Sequence, residues 1–425
     1  MEDEKPNRNR AILAAVHLQD ADDSDFQDAL TELGRLARTL GLTVLDTVIQ
    51  KRPSFHSATY LGTGKVEELK AVVDEHEAGL VLVNNEISPS QARNLEKETG
   101  ARVMDRTAVI LEIFHRHARS KIARAQVEIV RLKYMAPRLR EQGDSGDRQQ
   151  GGIGGKGAGE SKMELDHRKI RDRIAELTEE IEHLERDSQT QRARRQQLNR
   201  VAFVGYTNAG KSTLMRALTG SDVLVADKLF ATLDTTVRAL VPESFPRVLI
   251  SDTVGFIDNL PHGLVASFKS TLDEAHESSL LLHVVDASDR SWRRQYGVTR
   301  DVLADIGADV VPRIMIFNKL DAVGDAEAQA QAAASFCAEW PDAIVMSATN
   351  PGDVVRLHSA ISAFFKRDLV EEELHVPYSR QNLRAVIFAE CEVLEEKYDE
   401  AGVVFRVRAH PSTLERLRTG AEHVG

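Results

Sequence analysis

At 425 residues, 42% hydrophobic and 28% charged, the chain has a globular composition and too much length for one ordinary core, so two to three domains are expected. No run approaches the roughly 18 apolar residues that span a bilayer, the polar start MEDEKPNRNR is no signal peptide, and Cys337 and Cys391 lack metal spacing. A cytoplasmic protein with inert thiols and no membrane contact is expected. A net charge of −11 excludes a uniformly basic nucleic-acid binder, yet residues 116–200 hold 20 basic against 14 acidic side chains, a balance of +6 that leaves −17 on the rest. Such asymmetry suits a segment that meets a polyanion, and equally a solvated helical face.

Residues 1–112 alternate between apolar runs and helical spacing. Residues 11–16, 43–49, 80–83 and 103–104 read as strands, and 26–40, 66–76 and 88–99 as helices, the last with a Ser-Pro start signal. This order predicts a small α/β domain with a mainly parallel sheet. Gly62, Thr63, Gly64 and Lys65 lack the spacer of a phosphate loop and read as a helix-initiating turn. His115 and His117, two apart on a helix, point to different faces and are not read as metal ligands.

Residues 113–198 read as a helical hairpin. Ala118, Ile122, Ala125, Ile129 and Leu132 are spaced 4-3-4-3, as are Ile170, Ile174, Leu177, Ile181 and Leu184, which gives two apolar seams able to pair antiparallel. Between them, residues 143–160 (GDSGDRQQGGIGGKGAGE) carry too many glycines for a helix and predict a long tip. With Arg138, Arg140, Arg148, Lys156 and Lys162 in or beside it, the tip suits the phosphate surface of folded RNA; the plainer alternative is a connector.

The segment 201–213, VAFVGYTNAGKST, is the centre of the chain. Gly205, Tyr206, Thr207, Asn208, Ala209, Gly210, Lys211 and Ser212 form a complete G-x-x-x-x-G-K-[ST] loop between an apolar run and a helical pattern. Its N–H groups and the helix N-terminus are expected to face phosphates, Lys211 to reach the β- and γ-phosphates, and Ser212 to meet Mg²⁺. Four further elements follow in order: Phe230, Ala231, Thr232, Leu233 and Asp234; Asp252, Thr253, Val254 and Gly255; Asn318, Lys319, Leu320 and Asp321; and Ser347, Ala348 and Thr349. Thr232 is expected to ligate Mg²⁺ beside the γ-phosphate, Asp252 to hold the metal through water, and the Gly255 N–H to meet the γ-phosphate. Asp321 accepts from the guanine N1–H and amine, a donor pair adenine does not present, so the expected substrate is GTP. Phe256 stands where many GTPases have a water-orienting glutamine, so slow intrinsic hydrolysis is expected. Asn208 is either a turn former or the holder of a monovalent cation, K⁺, beside the β–γ bridge. The expected catalytic set is Lys211, Thr232, Gly255 and Asn208, with Ser212 and Thr232 on the metal.

The expected fold is thus α/β. A P-loop GTPase domain with a doubly wound sheet (199–366) follows the small α/β domain and the hairpin, and a small α+β appendage (367–425, strand, helix, then a hairpin near 399–402) closes the chain.

These elements together resemble the HflX family of translation-factor GTPases. The telling stretches are GYTNAGKSTL (205–214), LFATLD (229–234), DTVGFI (252–257), LLLHVVDA (280–287) and NKLD (318–321), with Leu260, Pro261, His262, Phe268, Thr271, Leu272 and Glu274. GGIG (151–154) and GAGE (157–160) resemble the family's glycine loop, and NLE (94–96) and VMDRT (103–107) its N-terminal domain; Ala158 stands where the family usually has proline. The resemblance implies a ribosome-stimulated, monomeric GTPase that binds GTP and GDP with Mg²⁺. It also implies that the protein binds the large ribosomal subunit and its RNA and splits stalled or idle ribosomes under stress. Two other readings are a checkpoint GTPase of large-subunit maturation and an ATP-driven RNA remodeller acting through the N-terminal domain, which lacks a complete phosphate loop.

Overall fold

The computed structural model describes residues 7–142, 162–193, 199–220, 229–230, 232–233, 236–258, 260 and 274–422. The expected tip 143–160, Ala231 and Asp234 lie outside them.

Strand β1 (Asn7–Leu18) alternates its side chains between two cores: Ala11 and Leu13 face one, Ile12, Ala14 and Val16 the other. Around it β2 (Thr43–Arg52), β3 (Ala78–Val83) and β4 (Arg102–Asp105) complete an all-parallel sheet in the order β2-β1-β3-β4. Helix α1 (Asp23–Thr39) starts where the Asp22 carboxylate accepts from Ser24 and Asp25 N–H, and buries Phe26, Leu30, Leu33, Leu36 and Ala37. Helices α2 (Thr63–Glu75) and α3 (Pro89–Thr99) cover the opposite face; α3 carries a Ser88–Gln91 capping box and stops at Gly100, at φ 72.

Helix α4 (Arg106–His117) runs through the expected boundary at residue 112 and packs on the α1 side of the sheet. The first helix of the hairpin does not begin at Ala118. That residue caps α4 in an extended conformation, and α5 (Lys121–Gln142) starts afresh because the Ser120 hydroxyl accepts from the Ala123 N–H. The middle of the expected seam forms: Ala125, Ile129 and Leu132 pack on Ile174, Leu177 and Ile181 of α6 (Lys162–Ala193), while Ile122, Ile170 and Leu184 are not part of that cluster. A second apolar face of α5, with Ala123, Val127 and Val130, enters the core shared by α1 and α4.

The central sheet comprises β5 (Asn199–Gly205), β6 (Thr236–Ala239), β7 (Val248–Asp252), β8 (Leu280–Asp286), β9 (Arg313–Asn318) and β10 (Ile344–Val345), in the order β10-β9-β8-β5-β7-β6. Only β6 runs antiparallel, at the edge. Helices α7 (Lys211–Thr219) and α10 (Pro351–Lys366) cover one face. Helices α8 (Trp292–Asp305) and α9 (Ala326–Glu339) cover the other, which makes the sheet doubly wound. Strands β11 (Val370–Pro377), β12 (Glu392–Tyr398) and β13 (Gly402–Ala409) form an antiparallel sheet in the order β11-β13-β12. It is backed by α11 (Gln381–Glu390) and α12 (Pro411–Glu422).

Candidate nucleotide site

Ligands of open α/β sheets sit at the carboxyl ends of the parallel strands. There β5 runs into the loop 205–210 and α7. Gly205 has φ 149, and a Cβ on it would lie 2.2 Å from the Val284 carbonyl oxygen; on Gly210, at φ 98, it would lie 2.2 Å from Asn318 Nδ2. Neither position admits a side chain. Lys211 folds back over this loop, donating to the Gly205 and Tyr206 carbonyls at 3.0 and 2.8 Å. Burial pulls its ammonium down to about 8, against the opposing pull of Asp252.

Three oxygens converge at the start of α7. Ser212 Oγ donates to Asp252 Oδ2 at 2.7 Å, Thr232 Oγ1 donates to the same oxygen at 2.8 Å, and the two hydroxyls are 2.9 Å apart. Asp252 is fully buried, its carboxyl pushed up by desolvation, and its Oδ1 has no hydrogen-bond partner among the described residues. A buried, half-satisfied carboxylate with two hydroxyls is a hard oxygen donor set of the kind that suits Mg²⁺.

On the far side, Asn318 Nδ2 donates to the Ala209 carbonyl at 2.9 Å and its Oδ1 accepts from the Ala348 N–H at 3.0 Å. Ser347 Oγ donates to Asp321 Oδ1 at 2.5 Å and accepts from the Thr349 N–H at 3.3 Å. Lys319, at φ 61, pairs with Asp286 at 2.8 Å. The loops after β5, β9 and β10 are thereby tied into one rim. Leu320 turns away into the core with Trp292 and Phe336.

The loop after β7 is stitched to the phosphate loop by main chain, Thr207 N–H to the Phe256 carbonyl at 2.6 Å and Phe256 N–H to the Gly205 carbonyl at 3.2 Å. A Cβ on Gly255 would lie 2.8 Å from Thr207 Cα, which accounts for glycine there. Thr253 is buried and donates to the Phe203 carbonyl at 2.6 Å. Phe256 is 2% exposed and lies in the core with Leu281 and Leu303.

Sequence reasoning missed what covers this site. Phe230, Leu233, Val254 and Ile257 are buried in the same core as α1, α4 and α5. The Tyr206 hydroxyl turns away from the phosphate loop, donates to Glu32 at 2.7 Å and accepts from the Asp258 N–H at 2.8 Å. Arg106 reaches both Glu32 at 2.5 Å and the Asp258 carbonyl at 3.2 Å. Burial and Glu32 push the Tyr206 phenol far above its ordinary range. His117 Nδ1 lies 2.7 Å from the Phe230 carbonyl, and a carbonyl only accepts, so this nitrogen carries the proton. Nothing local in the sequence signals these contacts, because Tyr206 reads as one more residue of the phosphate loop. Asn208, at φ 62, lines a cleft with Arg35, Asp286 and Arg294.

Three family models match in register with these elements: the N-terminal domain of GTP-binding GTPases over residues 27–115, their middle region over 117–195, and the 50S ribosome-binding GTPase over 200–319. The GTPase HflX of Gluconacetobacter diazotrophicus is 49% identical over 97% of this chain and 98% of its own length. The HflX of Caldanaerobacter subterraneus is 41% identical over 98% and 95%, and that of Escherichia coli K12 is 35% identical over 92% and 91%. No helix among the described residues is long and apolar enough to cross a membrane. With a GTPase family model over 200–319 and a near full-length likeness to HflX GTPases, this chain belongs to the HflX family of GTPases and hydrolyses GTP.

Proposed function

We propose that this chain binds the large ribosomal subunit through its RNA and couples GTP binding and hydrolysis to the dissociation or rescue of ribosomes under stress. The observation that carries the reading is the shared core: Phe230, Leu233, Val254 and Ile257, from the loops that respond to a γ-phosphate, are buried with α4 and α5. The hairpin begins on that core, so a change in those loops moves its base. The description of the matching family model, a 50S ribosome-binding GTPase, supports the same partner.

In this reading the N–H groups of residues 208–212 cradle the phosphates, with Lys211 on the β- and γ-phosphates. Asp321 accepts from the guanine donor pair, Lys319 covers the ring, and Ser347 and the Ala348 N–H serve O6. Ser212 and Thr232 would hold Mg²⁺, with the Asp252 carboxylate to which both hydroxyls donate supporting it. When bound, the metal neutralises charge on the β- and γ-phosphate oxygens. Asn208, if more than a turn former, would offer its side-chain oxygen to a monovalent cation such as K⁺, which would add positive charge beside the phosphates. Phe256 orients no water, so alignment comes from the ribosomal surface.

The test replaces residues 143–160 by a short Gly-Ser turn. Ribosome splitting, followed by light scattering, is lost while GTP affinity without ribosomes is kept. Parental-rate splitting by the shortened chain makes residues 143–160 a connector, and a parental chain that leaves ribosomes intact in the presence of GTP overturns the proposal.

A further inference from the structure

We infer that His117 and Thr39, in the N-terminal sheet domain, are positioning residues for the metal-ligating loop, and that they make the chain favour GTP over GDP. The inference rests on reading Ser212, Thr232 and Asp252 as the Mg²⁺ site.

Among the described residues, the loop carrying Thr232 is pinned at three main-chain atoms. The Leu229 N–H donates to Thr39 Oγ1 at 3.2 Å, the Phe230 N–H to Thr207 Oγ1 at 3.1 Å, and the Phe230 carbonyl accepts from His117 Nδ1 at 2.7 Å. The Phe230 ring is clamped as well, its centroid 4.6 Å from that of Phe114 on α4. Phe230 has φ 57, a left-handed conformation that costs a bulky residue free energy and persists only where its surroundings over-determine it. Two of the three pins and the ring clamp come from α1 and α4.

Pins on main chain recognise the path of a loop, whatever side chains it bears. The path held here carries Thr232, two residues on, to within 2.8 Å of Asp252 and 2.9 Å of Ser212. A threonine placed there serves the metal only when a γ-phosphate shares it. Contacts made only on this path therefore add to the affinity for GTP and leave GDP alone. By linkage, GTP must also strengthen the hold of α1 and α4 on the loop.

The test uses the full chain with Mg²⁺ and fluorescent forms of GDP and of a non-hydrolysable GTP analogue. His117→Ala should weaken the analogue about 5- to 10-fold, the worth of one partly buried hydrogen bond, and leave GDP within about 2-fold. His117→Asn, which restores an N–H donor, should recover most of the loss. Thr39→Val, which removes the acceptor but keeps the shape, should repeat the pattern and serves if His117→Ala does not fold. In a Thr232→Ala background His117→Ala should add nothing. If Thr232→Ala discriminates between the nucleotides while His117→Ala and Thr39→Val affect both equally or neither, the inference is wrong and the site reading stands. If Thr232→Ala itself fails to discriminate, the metal-site reading falls, and this inference with it.

Discussion

Glu32→Ala tests whether the N-terminal domain is held on the phosphate loop by a buried charge. Its carboxylate is 15% exposed and the facing Arg106 side chain 6% exposed. Two of Arg106's three nitrogens, Nε and Nη1, are buried without a hydrogen-bond partner among the described residues, so Glu32 and the Asp258 carbonyl alone satisfy the guanidinium. Removing Glu32 leaves a buried cation facing one carbonyl, a loss of about 3–5 kcal/mol. Tyr206→Phe removes only the hydroxyl between Glu32 and the Asp258 N–H and should lose about 1.5–3 kcal/mol, as a hydrogen bond to a charged group. Replacing both ions, Glu32→Met with Arg106→Met, should recover stability to within about 1 kcal/mol of the parent, because nothing charged is then left behind. Urea unfolding followed by far-UV circular dichroism and by the fluorescence of Trp292 and Trp340 measures all three. With a typical urea slope the single alanine variant should lose roughly 1–3 M in midpoint. A loss below about 1 kcal/mol for Glu32→Ala, or a double variant no better than it, refutes the reasoning.

Asp105 is 2% exposed and accepts from the Ile87 and Ala108 N–H groups, the Tyr134 hydroxyl and Arg138, so Asp105→Ala should lose about 3–5 kcal/mol and admit protease to α5. An unchanged digestion pattern would show that α5 is anchored elsewhere. Asp321→Asn should lose GTP and gain XTP, whose C2 carbonyl suits an amide donor; unchanged GTP affinity in a direct titration removes Asp321 from base recognition. Lys211 titrates at about 8 against an ordinary 10.5, so between these values the unfolded chain binds more protons and stability rises with pH. A bound phosphate draws that pKa back up, so nucleotide binding at pH 9 should take up protons, read by calorimetry in two buffers of different ionisation enthalpy. Heats that do not depend on the buffer would contradict this.

The three sheets and the phosphate-binding loop were legible because each announces itself locally. A strand of β-branched residues, a glycine pair that admits no Cβ, and a seam at 4-3-4-3 spacing all act within a few residues. Edge strand β6 was not: TVRA is four residues long and only partly buried, too short for alternation to register. Helix α4 was absorbed into the hairpin because no glycine or proline separates its apolar residues from the start of α5, and the Ser120 cap between them is a single hydroxyl. The covering of the site was wholly illegible. Tyr206 reads as one more residue of a phosphate loop, and nothing local says that its partner, Glu32, lies 174 positions earlier. His117 was set aside as no metal ligand, and its contact with Phe230 spans 113 positions.

The shared core also has a consequence in time. Val109, Phe114, Val127 and Val130 leave the ribosome that makes this chain well before Leu233, Val254 and Ile257, which complete their burial. Ile257 follows Phe114 by about 140 residues, and at roughly 5–20 residues per second that is a wait of about 7–30 s. During that interval the first sheet can form, but one flank of α4 and α5 stays wet and adhesive. The nascent chain is therefore a natural client for a holding chaperone over this window, and a truncated message that stops before β7 should yield an insoluble product.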